Sequence, residues 1–433
     1  MRTLERLSTR DTAPVLVLSI TTTPIRKYLP NTLQIQMPRR IHRGMLGVPS
    51  LLLSLLAIVL LPACAPEADP IRIGATMSES GAYSTQGTAA RNGYRLCADH
   101  LNDNGGLLGR PVEFVIYDDE SDSDTAVRLY EQLITEDNVD AIMGPYGSTL
   151  TEAVAPVTEE HQMVHVSPLA ATSSIWEQGR EYLFMVLPPA ELFLAGLIDL
   201  ADERELSRVA VVHEDELFPE AAGQGAVQLA EEAGLEVVVE ATYPTGTEDF
   251  TDILAEIEAA DAEVVAMAAS PLDDFIAMVE QMREARVDVQ MFGTSGAVDE
   301  FQDALGSDAE YAYGLSAWEP SLPYPGVDEF VDAYTDAFDR APSFHAAGGY
   351  GSCQLFAEAV EEAGTLDADP VRDALLALET TTVFGPYAVD ERGYQTANEG
   401  TFIQWQDGKR VVVWPEDVAV AAPRFPTPPW SDR

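Results

Sequence analysis

The chain has 433 residues, of which 46% are hydrophobic and 22% charged; these are globular values, and the length suits about two or three domains. Its three cysteines exclude a disulfide-dense scaffold, and no paired CxxC suggests structural zinc. Lys+Arg is 25 against Asp+Glu 72, a net charge of −47, which excludes nucleic acid phosphate and anionic lipid surfaces as partners.

The charge is unevenly divided. Residues 1–63 carry eight basic and two acidic side chains, so the other 370 residues carry a net −53. The only lysines are Lys27 and Lys409. The acids are spread along the chain, which favours a surface suited to high salt over a local funnel for cationic ligands.

Arg39, Arg40 and Arg43 precede an apolar run from Val48 to Leu61 that ends in Leu61-Pro62-Ala63-Cys64. The run is short for a membrane span and suits the core of an export signal. The ending resembles a lipobox, so Cys64 is the expected lipidation site. The competing readings are a plain cleaved signal and a single anchoring helix. Met37 would open a well-formed signal, which leaves residues 1–36 as an over-long start. Residues 37–63 are then the signal and 64–70 a tether.

From Ile71 onward, short β-rich runs alternate with helical patterns. Strands are expected at Ile71–Ala75, Val112–Tyr117, Ala141–Met143 and Met163–Val166, with helices at Gly87–Leu101 and Thr125–Ile134. A helix at Glu191–Ala201 opens a second series. Its strands are Val209–His213, Glu236–Glu240, Val264–Ala268 and Gln290–Phe292, with helices Glu220–Glu232, Phe250–Ile257 and Leu272–Ala285 between them. Such alternation implies βαβ units and parallel sheets, hence two lobes of similar construction. Helices at Val327–Phe338 and His345–Glu362 follow, then a hairpin-like stretch around Phe384-Gly385-Pro386. A last pair of strands, Phe402–Gln406 and Arg410–Trp414, turns at Asp407-Gly408, a strong hairpin signal. Pro423 to Trp430 reads as an extended tail.

Parallel sheets bind ligands beyond the carboxyl ends of their strands. There the sequence places Gly144-Pro145-Tyr146-Gly147-Ser148-Thr149, opening a helix, and then Ser167-Pro168-Leu169-Ala170-Ala171-Thr172-Ser173-Ser174. Small residues let the backbone approach a ligand, hydroxyls donate hydrogen bonds, and a helix N-terminus favours an anion such as a carboxylate. Ser and Thr are also ordinary helix caps, so the weight lies on two such loops after adjacent strands.

Catalytic and cofactor signatures are missing. Neither GxxxxGK[ST] nor GxGxxG occurs, and Gly293-Thr294-Ser295-Gly296 is too short for a nucleophile elbow. His161 and His165 have i,i+4 spacing, but the second falls in an expected strand, away from a shared helix face. Cys97 and Cys353 read as buried small apolar residues within helices. No cofactor, metal site or catalytic constellation is expected.

One combination of segments is specific by its order. It runs Ile71-Arg72-Ile73-Gly74-Ala75, Ser80-Gly81-Ala82-Tyr83-Ser84-Thr85-Gln86-Gly87, Asn102-Asp103-Asn104-Gly105-Gly106 with Leu107-Leu108-Gly109-Arg110-Pro111, Tyr117-Asp118-Asp119-Glu120-Ser121 and Ile142-Met143-Gly144-Pro145. Val211-Val212-His213-Glu214-Asp215 and Gln404-Trp405-Gln406-Asp407-Gly408 continue it. Together they resemble the type I periplasmic solute-binding proteins, in the leucine/isoleucine/valine branch that feeds ABC importers. The resemblance implies an α/β fold of two Rossmann-like lobes with parallel central sheets joined by three crossings. Lobe 1 would take 71–190 and 319–395, lobe 2 would take 191–318 and 396–420, and 421–433 would be the tail.

It also implies a non-enzymatic, monomeric receptor. A small solute would sit between the lobes and pass to a permease driven by ATPase subunits, with a sensory receptor of the same fold as the alternative. Residue by residue, Ser148 matches the serine that bonds the ligand carboxylate. Ala170, Ala171 and Thr172 match the loop that meets an amino acid. Gln86 stands where a tyrosine often lines the pocket, and Phe218 matches an aromatic wall from the other lobe. Two positions depart: Ser295 replaces the glutamate that receives the α-ammonium, and Ala269 replaces a bulky aromatic. A serine cannot supply a charge-assisted bond. The expected ligand is therefore an amino acid or a related small carboxylate or amide.

Overall fold

The computed structural model describes residues 69–296 and 301–433. The signal core, residues 1–36 and the lipidation candidate Cys64 lie outside the described residues. In the first series, β1 (Ile71–Met77), α1 (Ser84–Asp103), β2 (Val112–Asp118), α2 (Ser123–Thr135), β3 (Ala141–Met143), α3 (Ser148–Glu160), β4 (His165–Ser167) and β5 (Leu183–Met185) follow one another. The second series holds α4 (Ala195–Asp202), β6 (Arg208–Glu214), α5 (Leu217–Ala233), β7 (Glu236–Tyr243), α6 (Thr251–Ala259), β8 (Val264–Ala268), α7 (Leu272–Ala285), β9 (Met291–Thr294), α8 (Phe301–Leu305) and β10 (Tyr313–Ser316). Then come α9 (Val327–Phe338), α10 (Phe344–Ala363), α11 (Ala368–Ala377) and the small pair β11 (Thr380–Thr382) and β12 (Gly385–Tyr387). Strands β13 (Thr401–Gln406) and β14 (Lys409–Trp414) close the order.

These strands form two large sheets. The first is parallel throughout, in the order β2-β1-β3-β4-β5. The second runs β14-β13-β10-β9-β8-β6-β7, parallel except where β13 and β14 join its edge antiparallel. Central strands are buried on both faces, which explains why β8 reads Val-Val-Ala-Met-Ala with no polar side. In each sheet the first strand of its series has a partner on either side, β2 and β3 around β1 and β7 and β8 around β6. Successive connections therefore leave in opposite directions and open a crevice at the strands' carboxyl ends.

Some elements escape pattern reading because they are short. Strands β5 and β11 have three residues each, too few to display a period, whereas β4 falls at the expected Met163–Val166 strand, shifted toward Ser167. The expected helix Glu191–Ala201 is divided into a 3-10 turn at Ala190–Leu192 and α4. The C-terminal stretch lies against the second sheet. Thr427 N–H donates to the Gln290 carbonyl at 3.2 Å and the Trp430 indole to the Val287 carbonyl at 2.9 Å.

The reading of Cys97 and Cys353 as separate buried residues is corrected: they form a disulfide between α1 and α10. Two glycines permit the contact. A Cβ on Gly93 would strike the Ala346 carbonyl, and one on Gly349 the Ala90 carbonyl. The helices thus approach backbone to backbone, with the cysteine Cα atoms 6.3 Å apart, a bridging distance.

Candidate ligand-binding site

A cavity of about 80 Å3 lies where the carboxyl ends of the two sheets face each other. From the first sheet come Tyr83 after β1 and Gln86 in the first turn of α1, Tyr146 and Gly147 after β3 and Ser148, Thr149 and Leu150 opening α3, with Leu169 and Ala171 after β4. From the second come Phe218 on α5, Ala269 and Ser270 after β8, Phe275 on α7, and Ser295 and Gly296 after β9. Leu187 and Phe193, between the two series, and Phe344 and His345, at the start of α10, complete the wall.

Helix α3 starts at the cavity because of Gly147. Its φ of 81° lies in the left-handed region, which favours glycine, and aims the first turn inward. The first intrahelical bond there is Thr151 N–H to the Gly147 carbonyl, at 3.2 Å. The amides before it lie ahead of the helical ladder, at the positive end of the helix dipole. Ser148 is buried, and its Oγ accepts the N–H groups of Ala171 (3.1 Å) and Thr172 (3.3 Å). With its lone pairs engaged, the hydroxyl is left as a donor, the polarity an anionic ligand requires.

The lobes touch around this site. Thr149 Oγ1 donates to Glu216 Oε2 at 3.3 Å, and Thr172 Oγ1 to the Leu217 carbonyl at 3.4 Å. Phe193 meets Phe218 edge-on, with ring centroids 5.0 Å apart. On the opposite wall Tyr146 contacts Tyr83 at 5.4 Å and His345 at 5.6 Å. Burial holds the His345 imidazole neutral by pushing its pKa down to about 3. The Tyr83 hydroxyl is pushed up to about 12, first by burial and then by Glu216 and Glu214.

Of the residues singled out from the sequence, Gln86, Tyr146, Gly147, Ser148, Thr149, Ala171, Phe218, Ala269 and Ser295 line the cavity. Ala170 and Thr172 are buried in the same loop behind the lining. Ser295 is fixed within its own lobe, because its Oγ donates to the Ala269 carbonyl and accepts from the Ala269 N–H, both at 3.3 Å. Sequence reading missed Tyr83, Phe193, Phe275, Phe344 and His345. Tyr83 had a signal, since it follows the Ser80-Gly81-Ala82 turn beyond β1. The others reach the cavity through packing alone.

Two parallel-sheet lobes closing on a cavity at their switch points define a cleft-type solute receptor. A family model described as periplasmic binding protein matches residues 70–410. The chain belongs to this family of solute-binding proteins, which are not enzymes, and its fold is that of the type I periplasmic binding proteins. It is 25% identical over 398 residues to the Leu/Ile/Val-binding protein homolog 7 of Brucella suis, covering 87% of this chain and 99% of the relative. The fold matches a branched-chain amino acid transporter substrate binding protein from Streptococcus pneumoniae in complex with isoleucine. That match has a TM-score of 0.70 at 23% identity and covers 80% of this chain and all of the other. A solute binding protein from R. palustris in complex with benzoate matches with a TM-score of 0.71 at 20% identity, covering 82% and 97%.

Proposed function

We propose that this chain is the extracytoplasmic solute-binding lipoprotein of an ABC importer. It holds an amino acid or a related small carboxylate or amide between its lobes and delivers it to a membrane permease. The observation that carries the reading is the interlobe cavity at the N-terminus of α3, where Ser148 presents a hydroxyl donor. Ligand bridging both walls stabilises the closed form by its preference for closed over open, and the closed surface is what the permease reads. The S. pneumoniae neighbour holds isoleucine and the R. palustris one benzoate, so such a cleft accommodates carboxylates with and without an ammonium. An export signal ending at Cys64 supports a lipid anchor, and a buried disulfide supports an oxidising compartment.

The test is direct. Ser148→Ala should weaken binding of the solute found by thermal-shift screening about 10-fold or more, as expected for a lost hydrogen bond to a charged group, and Thr172→Ala should weaken it through loss of the bond to the Leu217 carbonyl of the other lobe. If both leave affinity unchanged, the cleft assignment is wrong. Incorporation of labelled palmitate that disappears in Cys64→Ala tests the anchor.

A further inference from the structure

We infer that the cleft is built for an aromatic monocarboxylate that carries no ammonium group. The inference rests on the cleft being the solute site and narrows its ligand. Among the described residues that line the cavity there is no Asp, Glu, Lys or Arg, and its one histidine is neutral. Glu216 and Glu214 are not among the lining residues but each bonds to one of them, accepting from the Thr149 hydroxyl and from the Ser270 N–H at 3.1 Å. Ser295, at the tip of β9, spends its hydroxyl on Ala269. An α-amino acid would bring a buried cation here with no carboxylate among the described lining residues to pair it, which is costly. A lone carboxylate is served differently. The first turn of α3 and the Ser148 hydroxyl meet it with donors and a favourable dipole.

The body of the ligand is set by the rest of the wall. Tyr83, Tyr146 and His345 form a continuous series of ring contacts on one side, and Phe193 and Phe218 pack edge-on at the other. Rings on opposing walls favour a flat π-system, which gains from stacked and edge-on contacts beyond its buried area. Tyr83 and Tyr146, whose phenols can donate a hydrogen bond to a ring substituent, are among the lining residues.

Two ligand pairs isolate the ammonium: 3-phenylpropanoate against L-phenylalanine, and 4-methylpentanoate against L-leucine. Binding is measured by calorimetry and thermal shift in molar salt. The acid without the ammonium should bind at least tenfold tighter in each pair, and 3-phenylpropanoate should exceed 4-methylpentanoate. Ser295→Glu, which places a carboxylate at the β9 tip, should reverse the preference within each pair. Equal or tighter binding of the amino acids overturns the inference while leaving a solute receptor in place. Tighter binding of 4-methylpentanoate than of 3-phenylpropanoate overturns its aromatic part. Silence from all four probes, with benzoate, glutamine and valinamide silent as well, overturns the solute-site reading and this inference with it.

Discussion

Removing the Cys97–Cys353 bridge is the sharpest test of how the first lobe is held. The bridge spans 256 residues of sequence, so in the unfolded chain it closes a very long loop. The chain-entropy relation puts the effect of such a loop at about 5.5 kcal/mol, while measured removals of native disulfides cluster at about 2–5 kcal/mol. Both sulfurs are buried, so the double variant Cys97→Ala/Cys353→Ala also forfeits some packing. A loss of about 3–5 kcal/mol is expected. The assay is guanidinium unfolding in molar salt, carried out in a Cys64→Ala background so that no other thiol is present. The parent protein should shift its midpoint on adding a reductant, and the double variant should not. The reasoning fails if denatured, unreduced parent protein reacts with two equivalents of a thiol reagent. It fails equally if the double variant lies within about 1 kcal/mol of the parent.

Two further predictions concern pH and salt. His165 is fully buried, and burial, followed by the charge of Arg180, lowers its pKa from 6.5 to about 3. Its neutral ring is paired with Thr158 at 3.2 Å. Between these pH values the unfolded chain binds a proton that the folded one refuses, so stability from this group falls as pH drops. The slope is about 1.4 kcal/mol per pH unit at most, and His165→Gln should remove it from urea midpoints measured at pH 4–6. Separately, the net −53 on residues 64–433 should make folding depend on salt, because screening shortens to about 3 Å only near 1 M. Circular dichroism on dilution from molar salt should show loss of structure, and full stability at low salt would contradict the reading.

Much of the cleft was legible before any coordinates. Gly147 and Ser148 stand out because only a glycine-led turn before a helix places donors at a strand's end, and that local chemistry is written in sequence. The alternation of β8 with its flanking helices was equally plain, since a doubly covered strand has no polar side. Phe344 and His345 were not legible: they open a helix more than 190 residues beyond Ser148, and no local period points to their meeting Tyr146. The pairing of Cys97 with Cys353 was hidden for the same reason.

The sequence by itself determined the two alternating series, the net negative charge and the two small-residue loops at the cavity. Each of these follows from neighbours along the chain, where period, capping and charge are local quantities. Tertiary structure alone decided which rings share the cavity, that its described lining holds no ionised side chain, and that α1 and α10 are stapled. Those properties arise when segments far apart in the chain pack backbone against backbone, and the glycines that permit it look ordinary until the opposing carbonyl is in place.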